Sequence, residues 1–154
     1  MIKSSSSQKQ GACDEALHLI ETGTISCVVI QDDAIVHKAD GRGVSPLLKL
    51  YDTAPEKLKD AVVIDKIIGK AAAMILVAGG VRKAYGQIMS AAAKKYLDAH
   101  SIETEYGRYV DVIENRYKTG MCPIEQSVID SEDPLEGLEK IRKTVLTLIQ
   151  AHAE

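Results

Sequence analysis

A short, almost wholly apolar segment followed by an alanine-rich run constrains the fold of this chain most strongly. Residues 61–65 read AVVID, and residues 66–78 read KIIGKAAAMILVA. A strand that is apolar on both faces is typical of a sheet covered on both sides. The alanine-rich run favours a helix, and Gly79-Gly80 favours its termination. Together they predict a buried strand followed by a crossover helix, the unit of α/β proteins.

The remaining segments continue this alternation. Apolar, β-branched segments at 24–30 and 34–39 flank three polar residues and predict a hairpin. Further strands are expected at 81–88 and 103–110, and helices at 12–22, 46–52, 91–100, 123–129 and 135–154. Ser90 is expected to cap the helix at 91–100. The resulting order, α-β-β-α-β-α-β-α-β-α-α, predicts an α/β fold with a mixed or parallel sheet between helices.

Composition limits the kind of protein and its partners. The chain has 154 residues, enough for one domain with a real core, and a net charge of −3. That charge does not favour nucleic acid as a partner, because nucleic-acid-binding domains present a basic face. The 3 cysteines are an odd number and predict no disulfide framework, which favours a cytoplasmic location. The longest apolar run is too short to span a bilayer, so no membrane partner is expected.

The chain is expected to divide into three parts. Residues 1–11 are polar, contain a serine run and are interpreted as a frayed tail. Residues 12–130 hold the predicted domain. Residues 131–154 form a C-terminal helix with a long apolar stripe, expected to pack on the domain or on a second copy in a homodimer.

The strongest candidate for a ligand site is the DKIIGK stretch. Asp65 is expected to cap the helix, which places Lys66 in its first turn and Lys70 one turn later. Two lysines there oppose the helix dipole and repel each other, and Gly69 lowers helix propensity. A bound anion would offset all three effects, so replacing Lys70 with Gln should leave the apo protein as stable or more so. The alternative is that the lysines are solvated and Gly69 permits close packing.

Two other predicted helix starts carry candidate site residues. Arg42 precedes Ser45-Pro46, read as an N-cap and first helical residue, and suits a phosphate or carboxylate. Cys122 stands at another helix start, where a thiolate is favoured, with Glu125 at the capping-box position. A cap without reactivity is the alternative for Cys122. His37 lies on the predicted hairpin, where a surface position is the simpler interpretation.

Several familiar chemistries are excluded by missing motifs. Gly69-Lys70 is followed by Ala71 rather than Ser or Thr, and no glycine stands five positions before Gly69, so the stretch is not a P-loop. No G-x-G-x-x-G follows any predicted strand. C-x-x-C does not occur, and the H-x-E at residues 152–154 ends the last predicted helix instead of starting one, so no zinc site and no cofactor are expected.

Three segments together resemble an uncharacterised prokaryotic family with the cytidine-deaminase-like fold. They are RGVSPLLKLYD, DKIIGKAAAMILVAGGV and NRYKTGMCPIE, and the resemblance covers about residues 12–130. It implies a three-layer α/β/α sandwich with a mixed sheet. Zinc deaminases of this fold carry H-x-E and P-C-x-x-C at two helix starts, whereas this chain has Ser45-Pro46-Leu47 and residues 65–70 there. The resemblance therefore implies a metal-free, deaminase-like pocket but does not indicate which activity, if any, the protein has.

The sequence predicts a cytoplasmic protein that binds a small anionic ligand, such as a nucleotide or a nucleotide precursor, without zinc. Its site is expected to combine Arg42, Ser45, Asp65, Lys66, Gly69, Lys70, Cys122 and Glu125. Asp65 could act as a base and Cys122 as a nucleophile. The alternatives are a transferase-type enzyme that uses Cys122 or Lys66, and an interaction protein without a ligand.

Overall fold

The computed structural model describes residues 2–115 and 117–153, with the side chains of 11–115 and 117–151. The strands are β1 (Cys27–Gln31), β2 (Ala34–Ala39), β3 (Val62–Ile68), β4 (Lys83–Ser90) and β5 (Glu103–Val110). The helices are α1 (Ile2–Glu21), α2 (Ser45–Thr53), α3 (Lys70–Gly79), α4 (Ala91–Ala99), α5 (Pro123–Val128) and α6 (Pro134–Ala153), with a 3₁₀ turn at Pro55–Lys57. The predicted order of elements is confirmed.

The five strands form one mixed sheet in the order β2-β1-β3-β4-β5. β1 is antiparallel to both of its neighbours, whereas β3, β4 and β5 run parallel to one another. The strand order reverses at β1, because the chain goes from β1 out to β2 and then returns through α2 to β3 on the other side of β1. Ligands of α/β proteins bind at such switch points, outside the carboxyl ends of the strands.

Helices cover the sheet unequally on its two faces, which gives the predicted α/β/α sandwich. One face packs against α2, α3, α4 and α6 around Leu47, Met74, Leu97 and Ile141. The other face packs against α1 through Ile20, Val28 and Ile64. Because β3 contributes Val63 to one core and Ile64 to the other, its apolar sequence is explained by burial on both faces.

The predicted hairpin turn, helix cap and glycine stop are present in the structure. Asp32 and Asp33 join β1 to β2 with positive φ angles of 49° and 65°, the backbone of a tight hairpin turn. Ser90 caps α4 by accepting the amide of Ala93 on its hydroxyl at 3.1 Å. Gly80 ends α3 in the left-handed conformation at φ 77°.

The boundary between β3 and α3 differs from the prediction. The ladder to β4 continues through Ile67 and Ile68, which pair with Ile88 and Met89, so the strand reaches Ile68 instead of ending at residue 65. Gly69 is the N-cap and the helix begins at Lys70. Asp65 therefore does not cap α3, and the predicted helix start at residue 66 is wrong.

The ends of the chain bear on the predicted division into a tail, a domain and a last helix. The backbone of α1 is helical from Ile2, earlier than the expected residue 12, while Met1 lies outside the described residues. α6 packs on the domain through Leu138 and Ile141, and Arg142 forms an ion pair with Asp52 of α2. A second subunit on the exposed part of α6 stays a prediction. No helix in the described chain is long and apolar enough to cross a membrane.

Candidate ligand-binding site

The amino terminus of α3 is closed by a carboxylate from the same chain. Glu125, on α5, accepts the amide of Lys70 on Oε1 at 2.6 Å and the amide of Ala71 on Oε2 at 2.8 Å. Its side chain is buried, and burial raises the pKa of Glu125 above its usual value while the two amides and the Lys70 charge act against that rise. A carboxylate at this place satisfies free amides and matches the positive end of the helix dipole.

Gly69 is required by this contact. A Cβ on residue 69 would overlap the carboxyl group of Glu125. The alternative interpretation of Gly69, close packing, is therefore the one that the geometry supports. The sequence predicted that Glu125 forms a capping box on its own helix. That prediction is wrong, because its carboxylate binds the amides of α3 instead.

Lys70 is committed to the same buried region. Only 5% of the residue is exposed, and its Nζ donates to the carbonyl of Ile129 at 2.9 Å. It also lies 3.7 Å from a carboxylate oxygen of Glu132 and 5.8 Å from the centre of the Tyr96 ring. The predicted repulsion between Lys66 and Lys70 is wrong, because Lys66 lies on β3. The expectation that Lys70→Gln leaves the apo protein as stable or more so depended on that repulsion and has no remaining physical basis.

An open pocket of about 190 Å³ lies beside the carboxyl-terminal half of β3. Its lining consists of Ser26, Gly41, Arg42, Gly43, Asp65, Lys66 and Ile67, and we call it the Asp65 pocket. The loop before α2 supplies the glycines and Arg42, while β3 supplies Asp65 and Lys66. Three of the residues predicted from the sequence thus meet in one pocket.

The electrostatics of the Asp65 pocket are unusual. Asp65 is 5% exposed, and burial raises the pKa of its carboxyl to about 7, although the amides of Lys66 and Ile67 oppose the rise. Arg42 and Lys66 are exposed, and within the described residues neither forms an ion pair. The pocket therefore offers two free cations and a carboxyl group that exchanges its proton near neutral pH.

Cys27 faces Asp65 across the β1–β3 ladder. It is 1% exposed, and burial together with the Asp65 charge raises the pKa of the Cys27 thiol well above its usual value. A thiol in that state is a poor nucleophile. Cys27 contributes packing behind the pocket rather than reactivity.

Ser45 and Cys122 do not join the Asp65 pocket. Val44 is the N-cap of α2, so Ser45 is the first helical residue and its predicted cap is wrong. Ser45 lines a neighbouring pocket instead. Cys122 is the N-cap of the six-residue α5, where its side chain makes no capping hydrogen bond. Among the described side chains, no group of three or more His, Cys, Asp or Glu residues could hold a metal ion.

The family and the fold of this chain are shown by its similarity to known proteins. A sequence profile described as TM1506, a domain of unknown function (DUF1893), matches residues 15–145. The chain belongs to the DUF1893 family. The crystal structure of a DUF1893 family protein from Thermotoga maritima is 23% identical with a TM-score of 0.76, and the alignment covers 90% of each chain. That likeness confirms the fold, and the profile extends further into α6 than the expected domain end at residue 130.

Two further solved structures show a weaker likeness to this chain. RibD from Acinetobacter baumannii is 20% identical over 66% of this DUF1893 chain, with a TM-score of 0.46. A Thermotoga maritima diaminohydroxyphosphoribosylaminopyrimidine deaminase/5-amino-6-(5-phosphoribosylamino)uracil reductase is 13% identical over 65%, with a TM-score of 0.47. The chain spans 35% and 36% of those proteins. No curated protein matches it.

Ser26 lines the Asp65 pocket of this DUF1893 protein, although the sequence did not predict it as a site residue. Ser26 stands just before β1, and its hydroxyl donates to the carbonyl of Ala39 at 3.2 Å. Its carbonyl accepts the amide of Lys66 at 2.9 Å, which fixes it beside β3. Only the pairing of β1 with β3 brings these residues together, and a hairpin pattern does not reveal the partner of its first strand.

Proposed function

We propose that this protein binds a small anionic molecule in the Asp65 pocket without a metal ion. Arg42 and Lys66 hold the anionic group, and the Asp65 carboxyl contacts a polar group of the same molecule. The supporting observation is that one open pocket at the switch point of the sheet holds a deeply buried carboxyl and two cations that form no ion pair within the described part of the chain.

The charges make an anion the best-matched ligand. Arginine presents a planar fork of donors that suits carboxylates and phosphates, and lysine adds a compact charge. The Asp65 carboxyl, with its pKa raised to about 7, is partly neutral at physiological pH and then repels an anion less. In its neutral form it can also donate a hydrogen bond to the ligand.

The cost of burying Asp65 also favours a functional role. An ionised carboxyl in this position is destabilising, since no ion pair among the described residues holds a cation against it to offset the lost hydration. Residues with strongly perturbed pKa values in open clefts are enriched at functional sites. Asp65 fits that pattern. By contrast, Glu125 accepts the amides of Lys70 and Ala71, and Lys70 Nζ donates to the carbonyl of Ile129, so these two side chains stabilise the start of α3.

A thermal-shift series checks this proposal. Wild-type protein at about 100 times the dissociation constant of sulfate, phosphate or methylphosphonate should gain roughly 2.7 kcal/mol, or a rise in Tm of about 5–10 °C. The double variant Arg42→Gln/Lys66→Gln should lose most of that rise, because both cations of the pocket are gone.

The matched control is Arg82→Gln/Lys95→Gln, which removes the same two charges from exposed residues outside the pocket. Its Tm should rise with each anion as the wild type does. An equal anion response in all three proteins, or none in the wild type at any concentration, would contradict the proposal.

A further inference from the structure

A second and larger pocket adjoins the Asp65 pocket. Its volume is about 360 Å³, and it lies between β2 and α2, so we call it the β2–α2 pocket. It is lined by His37, Lys38, Ala39, Asp40, Gly41, Ser45, Pro46, Lys49, Leu50 and Thr53. Gly41 lines both pockets, so a single short segment of backbone separates them.

The β2–α2 pocket concentrates positive charge in an acidic chain. Lys38 and Lys49 are exposed on its walls, and neither pairs with a carboxylate in the part of the chain that the structure describes. Burial lowers the pKa of His37, and so do the neighbouring charges of Lys57 and Lys49. The whole chain carries a net charge of −3, so this local excess of cations is not a general property of its surface.

One acidic residue lines this pocket, and its carboxylate is partly engaged. Asp40 Oδ1 accepts the amide of Gly41 at 3.0 Å. Gly41 has a φ of +153°, and a Cβ there would come 3.0 Å from Pro46 Cγ, so a side chain at this position would be strained and crowded. Because both pockets share Gly41 in their lining, a molecule held in one pocket can reach the other past a residue that has no side chain.

We infer that the ligand of this protein carries two anionic groups, one held by Arg42 and Lys66 and the other by Lys38 and Lys49 across Gly41. This inference rests on the proposed function, because the first group occupies the Asp65 pocket. The β2–α2 pocket then selects a doubly charged molecule with separated charges over one with a single charged end. His37 supplies a further hydrogen-bonding group to the second anion.

The test uses a series of α,ω-alkane diphosphonates of increasing chain length, with methylphosphonate as the single-ended reference. Joining two anionic groups makes the second contact intramolecular, so a diphosphonate of matching length should bind at least about tenfold more tightly than methylphosphonate. Calorimetry at an ionic strength of about 0.05 M keeps screening of these exposed charges low. A diphosphonate advantage no greater than about twofold, the statistical benefit of two ends, overturns the inference.

Variants assign the advantage to the β2–α2 pocket. In Lys38→Gln/Lys49→Gln the diphosphonate affinity should fall to within about twofold of that of methylphosphonate, whose own affinity stays unchanged. The control Lys95→Gln/Lys143→Gln removes two exposed lysines outside both pockets and should keep the full advantage. Persistence of the advantage in the first variant, or an equal loss in the control, overturns the inference.

The two proposals fail in different ways. Wild-type protein that binds methylphosphonate but gains nothing from a second group retains the proposed function and loses the two-group ligand. Wild-type protein that binds neither probe loses both. Circular dichroism of each variant establishes that the fold is retained, which is expected because the replaced lysines are exposed.

Discussion

Replacing Glu125 with Ala should lower the free energy of unfolding by about 3–5 kcal/mol, since it strands two buried amides of α3 and removes a carboxylate that interacts with the buried Lys70 charge. Typical domains have only about 5–15 kcal/mol of stability in total. The variant should therefore unfold at a much lower urea concentration than the wild type. A loss below about 1 kcal/mol would mean that water satisfies the start of α3 equally well.

Two further variants test whether the effect comes from the helix start. Glu132→Ala removes the other carboxylate near Lys70. Because the Glu132 side chain is 82% exposed, this change should lower the free energy of unfolding by no more than about 1 kcal/mol. Gly69→Ala should destabilise the wild type by about 1–3 kcal/mol, because its Cβ overlaps the Glu125 carboxyl group. The same change should cost clearly less in the Glu125→Ala background, and simple additivity would contradict the contact.

Replacing Asp65 with Asn should change how stability depends on pH. The pKa of Asp65 is raised from 3.8 to about 7, so the folded state binds the proton more tightly than the unfolded state does. Its contribution to stability is fully present below pH 4 and is lost as the pH rises toward 7. The shift corresponds to about 4 kcal/mol. Asn keeps a neutral acceptor for the Lys66 amide, so the variant should match the wild type near pH 4 and exceed it by up to about 4 kcal/mol at pH 8.

Urea denaturation at several pH values from 4 to 8 measures this difference. Subtracting the two curves cancels other groups, including Glu125, whose pKa burial also raises. The exposed residue Asp130 provides a control, and Asp130→Asn should give a difference that stays flat across the range. A flat difference for Asp65→Asn, or a loss of stability at pH 8, would show that its carboxyl is not destabilised by burial.

Local patterns in the sequence were sufficient for the fold and its elements. The hairpin at Asp32-Asp33, the cap at Ser90 and the glycine stop at Gly80 depend on residues close together in the chain. Such features carry their own chemistry, so single-segment reasoning reaches them. The double burial of β3 was visible too, because both of its faces are apolar.

The start of α3 could not be predicted for the opposite reason. The DKIIGK stretch has a capping residue, lysines and a glycine in an order that suits a helix beginning at residue 66, yet pairing with Ile88 and Met89 holds Ile67 and Ile68 in the sheet. An anionic group does lie at the start of α3, but it is the carboxylate of Glu125, 55 residues away in the sequence, and not the small ligand that the sequence predicted there. A contact at that separation leaves no local trace in either segment.

The proposed site therefore differs from the one that the sequence predicted. Glu125 fills the helix start where the resemblance places the zinc cysteines of deaminases, and an anion would have to displace a buried carboxylate to bind there. Among the described residues that line the Asp65 pocket, Arg42 and Lys66 are cations without an ion pair. The same search for an anion that pointed to the helix start therefore points to the Asp65 pocket once Glu125 is accounted for.

Amide chemical shifts during a titration with sulfate test this central claim most directly. Sulfate keeps its charge between pH 6 and 8, and two-dimensional NMR reports each backbone amide separately. We expect residues 41–43 and 65–67 to shift with a common dissociation constant, while the amides of Lys70 and Ala71 stay fixed because Glu125 occupies them. Saturable shifts at Lys70 and Ala71 with none at residues 41–43 and 65–67 would place the anion at the start of α3 and contradict the account.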